Sequence, residues 1–163
     1  RDQAEMRGYI VVVPAAPDDQ LFFEGGERIF PGFLKQILAE YKIQDGKFHI
    51  AGVSNGGITA FHIASLHPGY FLSITAFPGF LWQPTPEHMK AISQMCINMF
   101  VGEVDPMGWQ DLMQKQASQL RAIGANAHYI VEKGQPHRIE TLAGASSGRL
   151  FDLFAQAQHG CGK

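Results

Sequence analysis

Gly52, Val53, Ser54, Asn55 and Gly56, followed by Gly57, fit the pattern G-x-S-x-G. The spacing has a physical reason. A strand that turns abruptly into a helix holds its serine in a strained backbone conformation. Glycines two residues before and two after leave room for that turn. The hydroxyl then stands clear at the strand end. The next amide, Asn55 N–H, points to where an oxyanion would form, and the helix N-terminus adds a favourable field. The competing role for Ser54 is a helix N-cap in a glycine-rich turn.

A serine hydroxyl is a poor nucleophile near neutral pH. It needs a base, normally a histidine, and the histidine needs an orienting carboxylate. With the G-x-S-x-G motif the partners usually follow in the chain order serine, acid, histidine. Asp105 fits the acid. It follows the apolar run at residues 97–101 through Gly102, Glu103 and Val104, and Pro106 stops strand pairing. Glu103 and Asp111 are its rivals, and a helix N-cap with Pro106 at the first helical position is its alternative role. His137 fits the base. It follows the run at residues 127–132 through Lys133, Gly134, Gln135 and Pro136. His49 and His128 fall inside predicted strands. His62 and His67 belong to a predicted helix, His88 precedes the required position, and His159 lies near the C-terminus.

Five short apolar runs are predicted to be strands: residues 8–14, 47–53, 71–77, 97–101 and 127–132. They lack polar alternation, which suits strands covered on both faces. Helical periods lie between them. Phe33, Leu34, Ile37, Leu38 and Tyr41 form one. Trp109, Leu112, Met113, Leu120 and Ile123 form another, with Gly124 as its stop. Residues 55–66 are apolar nearly all round and predict a buried helix ended by Pro68. A last helix carries Leu150, Phe151, Leu153 and Phe154. Strands alternating with helices predict an α/β fold, a mostly parallel sheet with helices on both faces. Ligand sites in such sheets sit at the carboxyl ends of the strands.

Composition narrows the function classes. The chain has 163 residues, 13 Lys plus Arg and 15 Asp plus Glu, a formal net charge of −2. That excludes a strongly basic nucleic-acid footprint and a polybasic membrane anchor. A content of 45% hydrophobic and 17% charged residues suits a globular chain. No apolar run is long enough for a membrane span, and no signal-peptide pattern is visible. Cys96 and Cys161 are too few for a disulfide framework, and the sequence leaves open whether they form one bridge. The seven histidines form no H-x-x-x-H or H-x-H set, so neither a metal nor a cofactor is expected. Asp18, Asp19, Glu24 and Glu27 mark an acidic loop, read as solvated rather than as a cation site. Phe80 and Trp82, in the loop after the third run, are candidates to line an acyl or aromatic pocket or to pack over the core. The spacing of Trp109 favours core.

These residues resemble the α/β-hydrolase superfamily, and within it the small bacterial esterases and the polyhydroxyalkanoate-depolymerase-like or feruloyl-esterase-like proteins. The carriers are GVSNGG at 52–57, VGEVDP at 101–106 and KGQPHRI at 133–139. The run AEMRGYIVVVP resembles the helix and strand that follow the family's oxyanion loop. The resemblance implies a Ser54, Asp105 and His137 triad with Asn55 in the oxyanion hole, acting on a small-molecule ester. It also implies a departure. The family's strand and Gly-rich loop before this helix have no counterpart ahead of Gly8. Residues 1–163 are therefore expected to form a single α/β-hydrolase domain lacking its N-terminal strands and oxyanion loop, as in a fragment or truncated gene product. The strand runs at 8–14 and 47–53 would then have unpaired edges or pair directly. Loss of one oxyanion donor typically costs about 2.7–4 kcal/mol of transition-state stabilisation. The alternatives are a prolyl-oligopeptidase-like serine peptidase, whose β-propeller has no counterpart here, and a non-catalytic hydrolase-like binding domain.

Overall fold

A computed structural model describes residues 2–16 and 20–161. Asp18 and Asp19 of the acidic loop lie outside the described residues. Four strands form one parallel sheet: β1 (Phe48–Gly52), β2 (Phe71–Ala76), β3 (Cys96–Gly102) and β4 (Asn126–Glu132), in the order β1-β2-β3-β4. Each matches a predicted apolar run to within a residue or so. The α/β class expected from the alternation is the class observed.

The register explains the layers. Ile74 stands beside Ile97, and Ala76 beside Met99. With Ile50, Val101 and Ala127 these side chains line one face of the sheet. That face packs on α3 (Asn55–Leu66) and on α5 (Gln110–Ala122), with Phe30 and Leu34 of α2 (Phe30–Glu40) in the same core. The opposite residues of the pleat are more polar. His49 pairs with Ser73, and Thr75 with Asn98. This second face is crossed by α6 (Gly148–Gln158), whose Phe154 stacks on the His49 ring at 4.8 Å. Phe151 and Phe154 of α6 also hold Ala4 of α1 (Asp2–Met6), with Tyr9 against them. A disulfide joins Cys96, at the start of β3, to Cys161 beyond α6.

α3 is buried on most sides, as its composition predicts. Gly57, Ile58, Ala60, Phe61, Ile63 and Ala64 are all inside. α5 buries Met113, Gln116, Ala117 and Leu120, while Leu112 and Ile123, read as part of its apolar stripe, are half exposed. Gly124 ends that helix in a left-handed conformation, φ +89°. Among the described residues, α1 and α4 (Pro86–Ile92) escape the apolar-period reading, and α4 has a signal of its own. The signal of α4 is chemical rather than periodic. Thr85 caps it by accepting the His88 N–H at 3.2 Å, and Pro86 stands at the first helical position.

The run at residues 8–14 is a correction. It forms no strand. Ile10, Val11, Val12 and Val13 are exposed, Val13 by 84%. β-branched residues favour extended backbone, but a strand exists only where a neighbour accepts its N–H and C=O groups. This segment does not pair with β1. An apolar groove of about 370 Å³ separates them, walled by Ile10, Val12 and Val13 on one side and by Ile50, Ala51 and Gly52 on the other. β1 is accordingly the strand of the sheet with no fully buried residue, and its Ala51 is exposed.

Candidate active site

Three loops at the carboxyl ends of β1, β3 and β4 meet at one point, and glycines permit the approach. A Cβ on Gly52 would lie 2.7 Å from the Gly57 nitrogen and closer still to the Gly56 carbonyl. The strand can therefore turn straight into α3 only with glycine there. Ser54 sits at the turn with φ 56° and ψ −120°, a conformation costly for a residue with a side chain. Its N–H donates to the Pro78 carbonyl at 2.8 Å. Its side chain does not cap α3. The Asn55 N–H, first in the helix, has no hydrogen-bond partner among the described residues and opens to solvent.

The Ser54 hydroxyl instead lies 2.9 Å from Nε2 of His137. Nδ1 of the same ring lies 2.8 Å from Oδ2 of Asp105. The Asp105 side chain is fully buried, and His137 keeps about a quarter of its side chain exposed. Asp105 also accepts the Met107 N–H on Oδ1 at 2.8 Å. The carboxylate thus serves its own turn and the imidazole together. The helix-cap role weighed for Asp105 becomes a local turn, because α5 begins only at Gln110.

The acid and histidine loops are built as a pair. Glu103 N–H donates to Glu132 O at 2.9 Å, and Val104 N–H to Gln135 O at 3.1 Å. Gly102 allows this, since a Cβ there would meet the carbonyls of Gln135 and Pro136. The rival carboxylates are engaged elsewhere. Glu103 accepts the Gly134 N–H at 2.9 Å and so braces the turn before His137. Asp111 lies within α5 and acts on Tyr129, whose hydroxyl is held up in pKa by burial first and by that charge second. Glu132, at the end of β4, is held below the usual carboxylate range chiefly by hydrogen bonds from Arg149, at 2.9 and 3.1 Å, and also by Thr141. This clamp ties the histidine loop to α6.

The other histidines stay apart from this cluster. His49 donates or accepts at Ser73 Oγ across 2.8 Å on the α6 face, and burial lowers its pKa to about 4. Burial also lowers His62, in α3. No group of three or more His, Cys, Asp or Glu among the described residues is placed to hold a metal ion.

Of the residues expected along a substrate wall, Phe80 is buried and belongs to the main core, while Trp82 is 46% exposed. The loop carrying them is fastened by Gln116, which accepts from Leu81 N–H at 2.7 Å and donates to its carbonyl at 3.0 Å. Trp109, which the helical spacing assigns to core, stands against His137 with ring centroids 5.0 Å apart and planes at 81°. Its other neighbour is Phe80, at 5.0 Å and 85°. The periodicity reading missed this contact because Trp109 precedes α5 rather than lying within it. The available signal was its position soon after the acid loop.

The chain shares its fold with an esterase. A solved structure of a thermostable esterase superimposes with a TM-score of 0.62 at 19% sequence identity, over 79% of this chain and 36% of that one. The chain thus spans little more than a third of that protein's length. No protein-family profile and no curated protein sequence matches it.

Proposed function

We propose that this chain carries the nucleophile, base and acid of a serine hydrolase that cleaves carboxylic esters. The observation that carries the reading is the continuous run of hydrogen-bond distances from Asp105 through His137 to a strained Ser54 at a helix N-terminus. Ser54 Oγ attacks the ester carbonyl as His137 Nε2 takes its proton. Asp105, accepting from Nδ1–H, holds the imidazole in the tautomer that leaves Nε2 free. The carbonyl oxygen becomes an oxyanion facing the open Asn55 N–H and the positive end of α3. His137 then protonates the departing alcohol. Water, deprotonated by the same histidine, releases the acid from Ser54. The esterase fold of the structural neighbour supports this class, and the substrate is a small-molecule ester. Trp82 is the exposed end of an aromatic run through Phe80 and Trp109 to His137 and offers an apolar surface to the acyl or alcohol group.

The test is covalent. A fluorophosphonate incubated with the purified chain is expected to add one label, mapped by peptide mass spectrometry to Ser54. His137→Ala is expected to abolish it with the circular dichroism spectrum unchanged. A folded wild-type chain that takes no label, or a label that survives His137→Ala, overturns the assignment.

A further inference from the structure

We propose that Trp109 is a positioning residue for His137, fixing the plane of the imidazole. The proposal rests on the serine-hydrolase reading above. His137 is held at two points, by Asp105 at Nδ1 and by Ser54 at Nε2. The ring turns about its Cα–Cβ and Cβ–Cγ bonds, and two hydrogen bonds of ordinary strength resist that turn only softly. A ring packed at right angles, 5.0 Å away, blocks that motion.

Trp109 is itself held from several sides. Phe80, only 4% exposed, packs across it, and the Phe80 loop is anchored by the paired Gln116 bonds to Leu81. The Trp109 carbonyl accepts the Met113 N–H at 2.9 Å, which opens α5. The adjacent Gln110 side chain donates to the carbonyls of Gly102 and Asp105, at 3.2 and 3.3 Å. The indole is therefore fixed to the same loop that carries the acid. A chain of contacts from the core through Phe80 to Trp109 ends on the base.

A fixed imidazole plane bears on proton transfer from Ser54, so it acts on the rate of serine attack rather than on substrate binding. The ring contacts of His137 are Trp109 alone, and its one carboxylate partner is Asp105, among the described residues.

The experiment uses the whole chain. Trp109→Leu is expected to slow fluorophosphonate labelling of Ser54 roughly 3- to 30-fold, with Trp109→Phe restoring most of the rate. On an ester substrate the loss should appear in kcat, with KM moved less than about twofold. Labelled wild-type chain with an undiminished rate in folded Trp109→Leu overturns the positioning role alone. A wild-type chain that takes no label overturns the hydrolase reading and the positioning role with it. Near-ultraviolet circular dichroism of each variant separates a slow site from an unfolded one, and Trp109→Phe retains a ring where Trp109→Leu fails to fold.

Discussion

Gly102→Ala is a substitution of one methyl group, and it is expected to pull the acid and base loops apart. Gly102 ends β3 opposite Glu132, the last residue of β4. A Cβ at this position would lie 2.8 Å from the carbonyl carbon of Gln135, with the carbonyl oxygens of Gln135 and Pro136 nearer still. These are backbone atoms, so no side chain can swing away to make room. Ordinary van der Waals distance requires a shift of about 1 Å between the two loops. The Gln135 carbonyl that must move also accepts the Val104 N–H, and His137 follows it by two residues. The Asp105–His137 and His137–Ser54 separations are 2.8 and 2.9 Å. A further 1 Å takes both beyond hydrogen-bond range. Misplacement of a catalytic group by that distance costs on the order of 100-fold in rate. Overpacking of this kind costs about 1–3 kcal/mol in stability, which for a domain of this size lowers Tm by roughly 3–10 °C. The assay is the rate of fluorophosphonate incorporation by intact mass, measured beside a thermal melt. Gly32→Ala is the control, since a Cβ at Gly32 in α2 meets nothing within 4 Å. It should label at the wild-type rate and melt no lower. A folded Gly102→Ala chain that labels within threefold of wild type would refute the argument that this glycine sets the spacing of the site.

Two further outcomes follow from strain and from burial. Ser54 holds φ 56° and ψ −120°, which glycine adopts freely and alanine does not. Ser54→Gly is therefore expected to be more stable than Ser54→Ala by about 1 kcal/mol in urea, with neither variant labelled; coincident unfolding curves would show that the turn stores no such strain. His49 is the second case. Burial depresses its pKa in the fold to about 4, against 6.5 unperturbed, so the folded chain carries it neutral. Below pH 6.5 the unfolded chain binds a proton that the folded chain does not, so stability is full above that value and falls as the pH drops toward 4. The loss is of order 2 kcal/mol once solvent screening at the partly exposed ring is allowed for. His49→Phe combined with Ser73→Ala, which removes the hydroxyl partner as well, should flatten that part of the urea midpoint against pH; a slope equal to wild type would assign the acid sensitivity to other groups.

Sequence alone determined the local part of this protein. Strands β1 to β4 and helix α3 were legible because a segment covered on both sides must be apolar throughout, and such runs are short and bounded. Ser54, Asp105 and His137 were singled out because each follows a predicted strand, and a parallel sheet delivers all its strand ends to one edge. Their assembly within hydrogen-bond distance is a tertiary fact that this reasoning anticipated in outline only. Tertiary structure decided everything that depends on a partner distant in the chain. Residues 8–14 have the composition of a strand and do not form one, because a strand needs backbone partners that its own side chains cannot supply. Trp109 carries the spacing of a core residue and Phe80 sits in a loop, yet the first faces His137 and the second supports it from behind. Glu103 and Asp105 stand two residues apart, and only the shared carbonyls of the facing loop turn one carboxylate toward Gly134 and leave the other for His137. Apolar pattern records whether a side chain is buried; the neighbour that buries it, and so the work it does, is set by packing between segments far apart in the chain.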